Sequence, residues 1–160
     1  MKKEIVHIKN EIKLVGLKTR TSNSLEIDFL TAKISNLIAK EYYGAAIPEK
    51  ILNRINPGLS FGAYSEYESD HTGEYDYFIG EEVSSFGNIS NALSTLVIHP
   101  GSYLKFTSNN GEIPHIIIDS WNKIWKMNNN DFGGMRKYKT DFEIYNQNRA
   151  EIYIGIELEA

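Results

Sequence analysis

Apolar and polar positions alternate from the start of the chain. Val6, Ile8, Ile12 and Leu14 interleave with His7, Lys9, Glu11 and Lys13, a period of two that predicts a first strand over residues 4–19. The period then becomes helical. In TSNSLEIDF, Asn23 is placed to cap a helix and Glu26, three residues on, to close a capping box. Ile27, Leu30, Ile34, Leu37 and Ile38 follow at helical spacing, so one helix is expected to about Tyr42. A loop with Pro48 and Asn-Pro-Gly at 56–58 leads to strands over 61–68 and 75–83, joined by the turn SDHTGE. Beyond the Ser/Asn/Gly-rich link at 84–91, strands are expected at 95–98 and 102–108 around the turn HPG. NNGEIP opens a second helix with Pro114 in its first turn. Ile117, Trp121, Ile124 and Trp125 mark its buried face, and NNN at 128–130 ends it. Strands over 137–146 and 151–159 complete the chain.

The order strand–helix–strand–strand thus occurs twice. Residues 61–83 align without a gap on 136–158, with Glu68, Ile79, Gly80 and Glu82 identical to Glu143, Ile154, Gly155 and Glu157. Internal duplication predicts an α+β fold of two such units forming one curved antiparallel sheet, with two helices and a pseudo-twofold axis. The expected organisation is a single domain over 1–160, with repeats at about 1–85 and 94–159.

Two related strands, YFIGEEV (77–83) and IYIGIEL (152–158), each hold a central glycine followed by a glutamate two residues on. Alternation puts Ile152, Ile154, Ile156 and Leu158 on one face, toward the helices, with Tyr77, Ile79 and Val83 as their counterparts. Tyr153, Gly155 and Glu157 share the other face, as do Phe78, Gly80 and Glu82. If the sheet is curved, that second face becomes a groove: an aromatic wall, a glycine gap and a carboxylate that selects a positive or hydrogen-bond-donating group. The other reading is an ordinary wetted face. Glu81 interrupts the helix-facing side, a position that suggests a sheet edge.

Composition narrows the classes. An apolar content of 41% supports a core. No apolar run approaches the roughly 20 residues of a membrane span, and Lys9, Glu11 and Lys13 interrupt any signal-peptide core. A cytoplasmic protein with no membrane partner is therefore expected. The absence of cysteine excludes disulfides, thiol nucleophiles and cysteine-based zinc sites. A net charge of −4 without a basic cluster argues against a nucleic-acid surface. Ten tyrosines suit either a surface that holds something amphipathic or plain strand propensity. The four histidines lack metal-ligand spacing, and no phosphate loop, dinucleotide fingerprint or nucleophile elbow is present, so neither metal nor cofactor is expected. Asp70 and His71 read as turn residues, and DFGG at 131–134 lacks the rest of a kinase signature. Trp121 and Trp125, four residues apart, read as core packing, with one able to floor a pocket through a gap in the sheet.

Four blocks together resemble the GyrI-like, or AraC-type, bacterial effector-binding domain: 61–83 (FGAYSEYESDHTGEYDYFIGEEV), 99–111 (HPGSYLKFTSNNG), 120–125 (SWNKIW) and 141–158 (DFEIYNQNRAEIYIGIEL). The resemblance implies the duplicated fold and a small-molecule ligand, cationic or aromatic, held in a cleft lined by aromatics and acids. It places pocket acids at Glu82 and Glu143, the helix tryptophan at Trp121 and a tyrosine at Tyr145. With Tyr64, Phe78 and Tyr153 these make the expected ligand-binding set. A missing tryptophan in the first helix and the segment 127–142 depart from the family pattern and leave ligand identity open. The two repeats consume the chain, so a stand-alone effector-binding protein without a helix-turn-helix is expected, with no direct nucleic-acid binding and a role in transcription regulation or drug tolerance. Two alternatives stay open. One is a hydrolase of cyclopropane-containing or related compounds, with Glu82 and Glu143 as the catalytic pair, both aimed at one point. The other is an inhibitor of a topoisomerase acting through protein contact.

Overall fold

The protein, as a computed structural model, is described for residues 1–113, 115–146 and 148–158, with Asn129 described by its backbone alone. The N-terminal alternation forms two strands instead of one, β1 (Lys2–Ile8) and β2 (Ile12–Ser22), broken across the polar residues 9–11. Then come β3 (Ser60–Ser65), β4 (Glu74–Val83), β5 (Ser94–Ile98), β6 (Gly101–Thr107), the two-residue β7 (Met135–Arg136), β8 (Thr140–Asn146) and β9 (Arg149–Glu157). They form an antiparallel sheet in the order β1-β6-β9-β8-β3-β4-β2-β5, with β7 added to β9. From the centre outward the halves match: β3, β4, β2, β5 against β8, β9, β6, β1. A pseudo-twofold axis therefore passes between β3 and β8, and the break after β1 lets the first strand serve both halves.

The gapless alignment of the repeats needs correction. Ala63 pairs with Phe78 and Phe142 with Tyr153, so equivalent residues lie 75 apart in β4 and β9 but 79 apart in β3 and β8. The hairpin loop of the first repeat is longer. Glu68 lies in that loop, outside any strand, and the structural counterpart of Glu143 is Tyr64.

The expected first helix is broken. Helix α1 spans Asn23–Ile27, and α2 begins at Ile34–Asn36 and continues through Leu37–Tyr43 with π-helical turns. Ser22, not Asn23, caps α1 by accepting from Leu25 N. The Glu26 carboxylate does not close a capping box. It accepts from Thr21 Oγ1 and from the backbone N–H groups of Lys33 (2.9 Å) and Ile34 (3.1 Å), so it caps α2. Ile27, at the end of α1, and Phe29 and Leu30, between the two helices, stand exposed.

The second helix, α3 (His115–Trp125), buries Ile117, Trp121 and Ile124, but Trp125 is 42% exposed and off the buried stripe. Asn128 opens a further helix, α4 (Asn129–Phe132), through a capping box with Asp131, and Gly133 ends it in a left-handed conformation at φ 69°. DFGG is thus a helix terminus. The expected place of Pro114 in a helix and the end of the last strand at 159 lie outside the described residues.

Helix α2 packs on Val15, Tyr77, Ile79 and Val83, and α3 on Leu104, Phe106, Ile152, Ile154 and Ile156. The sheet's other face is a third core, where Leu14, Phe61, Phe78, Ile98, Tyr103 and Phe142 meet side chains from the outer strands. Glu81 is not at an edge: β4 is flanked by β3 and β2. Its buried carboxylate accepts from Gly58 N at 3.0 Å and pairs with Arg54 at 3.4 Å. No helix among the described residues is long and apolar enough to cross a membrane.

Candidate functional site

The central strands β3 and β8 meet at the axis, and their register sets the site. Gly62 faces Glu143, Ser60 faces Tyr145 and Tyr64 faces Asp141. Alternation turns all six toward the helices. Above them a cavity of about 820 Å³ opens between α2 and α3. Tyr64, Tyr77, Glu143, Tyr145 and Trp121 line its interior, with Ile34 and Ile38 on one wall and Ile117, Ile118 and Trp125 on the other.

Glu143 has no exposed surface. Its Oε1 accepts from Tyr64 Oη at 2.9 Å and from Trp121 Nε1, and its Oε2 accepts from Tyr145 Oη. Tyr77 Oη lies 3.1 Å from Tyr145 Oη and extends the chain of hydroxyls. Burial raises the carboxyl above its ordinary range, against the opposing pull of the three donors. Burial first, and then the Glu143 charge, push the Tyr64, Tyr77 and Tyr145 hydroxyls well above the ordinary phenol range, so they remain donors. The rings are packed edge-on: Tyr64 against Trp121 at 5.2 Å and against Tyr77 at 5.3 Å between centroids. An acid in an aromatic enclosure can take a proton or a cation, and it receives a cation at the tyrosine and tryptophan faces as well.

A second polar group lies beside it. Asp141, also fully buried, accepts from Gly155 N (2.9 Å), Tyr67 Oη (2.7 Å) and Arg136 Nη2 (2.8 Å). Arg136 lines the same cavity.

Of the expected ligand-binding residues, Tyr64, Trp121, Glu143 and Tyr145 line this cavity. Phe78, Glu82 and Tyr153 do not, because strand parity turns them to the other face. Phe78 is core there. Tyr153 stacks on Phe142 at 4.4 Å, donates to Glu151 at 3.0 Å and borders a shallower hollow of about 240 Å³. Glu82 is half-buried, with a carboxyl raised by burial, and lines neither space. Glu82 and Glu143 are therefore not brought together, and the large cavity lies on the helix-facing side instead of the expected groove.

The glycines are reassigned too. A Cβ on Gly80 would stand 2.7 Å from Phe78 Cε1 and 2.9 Å from the Val15 carbonyl carbon, and one on Gly155 would stand 3.0 Å from Thr140 O. Both permit close packing within the protein. Gly62 makes the room at the site: a Cβ there would stand 2.8 Å from Tyr77 Oη and 3.2 Å from Glu143 Oε2. Gly62, Tyr77, Tyr67 and Arg136 join the site although the expected set does not include them. A glycine inside the strand FGAY carried the same signal as Gly80, and Tyr77 was already on the helix-facing side.

The fold and the enclosed polar-aromatic site are those of an effector-binding domain. The family of integron-associated effector binding proteins matches residues 4–156, and the chain belongs to it. An integron cassette protein from the mobile metagenome of Vibrio cholerae has a similar structure, with 32% identity, a TM-score of 0.80 and coverage of 97% of this chain and 95% of its own. YobU of Bacillus subtilis (strain 168), named as a candidate transcriptional regulator, is 26% identical over 154 residues, covering 91% of this chain and 92% of its own. At 17% identity the fold extends to SAV2435, solved bound to tetraphenylphosphonium, with a TM-score of 0.75 over 98% of this chain and 94% of its own.

Proposed function

We propose that the protein binds an amphiphilic aromatic or cationic small molecule in the cavity between α2 and α3, with Glu143 as the anchor for its positive or hydrogen-bond-donating group. The observation that carries this reading is the fully buried Glu143 carboxyl inside a tyrosine and tryptophan enclosure. A buried carboxylate without a counter-charge is unfavourable. A cation entering the cavity relieves that penalty and gains about 0.5–2 kcal/mol from each well-placed aromatic face. The tetraphenylphosphonium held by SAV2435 supports a lipophilic cation as the ligand class, and the name of YobU supports a place in transcription regulation. Hydrolysis by Glu82 with Glu143 has no such support, since the two carboxylates leave the sheet on opposite faces.

Tryptophan fluorescence titration with tetraphenylphosphonium tests the reading, because Trp121 and Trp125 line the cavity. Saturable quenching is expected. Glu143→Gln is expected to weaken binding about tenfold or more, the scale of one charge-assisted contact, and to spare neutral aromatics. Glu82→Gln is expected to leave affinity within about twofold, for lack of contact. No response from a broad panel of lipophilic cations at high micromolar concentration would overturn the proposal.

A further inference from the structure

Arg136 is an unusual residue to find in the wall of a cavity suited to cations. It sits on β7 opposite Ile156, which turns its side chain to the helix-facing side. The side chain is 7% exposed and lines the same cavity as Glu143. Trp121 connects the two charged groups: its Nε1 donates to Glu143, and its ring lies 5.8 Å from the Arg136 guanidinium carbon. Tyr138 covers the guanidinium at 4.4 Å.

The guanidinium is under-used. Nη2 donates to Asp141 Oδ2 at 2.8 Å, Nε is buried with no acceptor, and no other side-chain hydrogen bond of Arg136 occurs among the described residues. Asp141 does not take up the rest: its Oδ2 already accepts from Tyr67 Oη as well as from Arg136, and its Oδ1 accepts from Gly155 N. A guanidinium presents five N–H donors in a planar fork suited to oxygen pairs; Nε is closed off inside the protein, so the Nη donors that Asp141 does not use are the ones left for an acceptor in the cavity. Asp141 balances the charge of Arg136, so a neutral carbonyl oxygen suffices to engage it and a full anion is not demanded.

We propose that Arg136 forms an oxygen-acceptor subsite, so that the cavity takes amphiphiles bearing two poles: a cationic or donor group for Glu143 and a carboxylate or carbonyl for Arg136. This rests on the reading of the cavity as a ligand site and narrows it. Permanent cations without an acceptor, such as tetraphenylphosphonium, would occupy only one pole.

A matched pair of probes tests it: pentyltriphenylphosphonium and (4-carboxybutyl)triphenylphosphonium, which differ by one terminal carboxylate. Affinities are measured for the unmodified protein, for Arg136→Lys, and for the double variant Arg136→Met/Asp141→Asn, which does not leave Asp141 as a buried charge without its partner. The ratio of affinities, carboxylated over plain, is expected to fall about tenfold in the double variant and by less in Arg136→Lys, while pentyltriphenylphosphonium binding persists and reports an intact cavity. A ratio unchanged within about twofold in both variants overturns the subsite and leaves the cation site standing. Failure of the unmodified protein to bind either probe overturns both. A structure of the unmodified protein with (4-carboxybutyl)triphenylphosphonium decides the point even if the double variant does not fold. Carboxylate oxygens within hydrogen-bond reach of Arg136 are expected, and a carboxylate directed elsewhere refutes the proposal.

Discussion

Tyr64 and Glu143 occupy equivalent positions in the two repeats, and the Tyr64 hydroxyl donates to the Glu143 carboxylate at 2.9 Å across the pseudo-twofold axis. Duplication has therefore placed a phenol and an acid at the same point of two related strands, and antiparallel pairing has made them partners. The fold is symmetric, while the chemistry at its axis is that of one acid with several donors.

Tyr64→Phe removes one of the three donors that hold the Glu143 carboxyl down. The carboxyl should rise further, and less of it should be ionised at neutral pH. Tetraphenylphosphonium affinity is expected to fall about threefold to tenfold, the scale of one ordinary hydrogen bond, with the ring and its packing retained. Titration at neutral and at high pH checks this, since the deficit should shrink where the carboxylate is fully formed.

Gly62→Ala puts a methyl group among the Tyr77 hydroxyl, the Tyr145 hydroxyl and the Glu143 carboxylate. Over-packing of this kind destabilises by about 1–3 kcal/mol. Thermal denaturation should show that loss, and ligand binding should weaken with it. Gly58→Ala is not an equivalent control, because Gly58 has open space around it but a φ of +98°.

The raised Glu143 carboxyl gives opposite pH courses to stability and to binding. Its contribution to stability is complete below the unfolded carboxyl's value and is lost as pH rises through the higher folded value. Binding of a permanent cation favours the ionised form, so tetraphenylphosphonium affinity should climb through that same folded value and then level off. The tyrosine hydroxyls around it are pushed upward and do not ionise in this window. Calorimetry across pH should show proton release on binding, and Glu143→Gln should flatten the profile.

Glu26→Ala removes the acceptor for the N–H groups of Lys33 and Ile34, at the start of α2, and for the Thr21 hydroxyl. Loss of a helix cap amounts to about 1–2 kcal/mol. Hydrogen exchange should accelerate at residues 33–38, where Ile34 and Ile38 form a cavity wall, before it changes in β3 or β8.

Alternation and helical spacing were enough to locate β3 to β6, β8 and β9, the helix around Trp121 and the duplication, because side-chain period follows directly from backbone geometry. Parity within one strand also put Glu143 and Tyr145 on a common face. What parity cannot supply is the partner across the sheet. Glu82 and Glu143 each read as a pocket acid, yet only register and curvature decide which face encloses a cavity. The gapless offset of 75 misplaced Glu68 opposite Glu143, because loop length between paired strands is not constrained by the strands themselves. The break in the first helix was hidden for a related reason. Glu26 caps α2 through N–H groups seven and eight residues further on, while the apolar spacing across 27–38 still reads as one continuous helix. The sequence by itself determined most of the elements, their repetition and the acid-rich, tyrosine-rich chemistry available to them. The tertiary structure alone decided that Gly62 makes the space, that Tyr64, Trp121 and Tyr145 converge on Glu143, and that Arg136 joins them, because each of those contacts joins strands or helices whose separation along the chain carries no periodic signal.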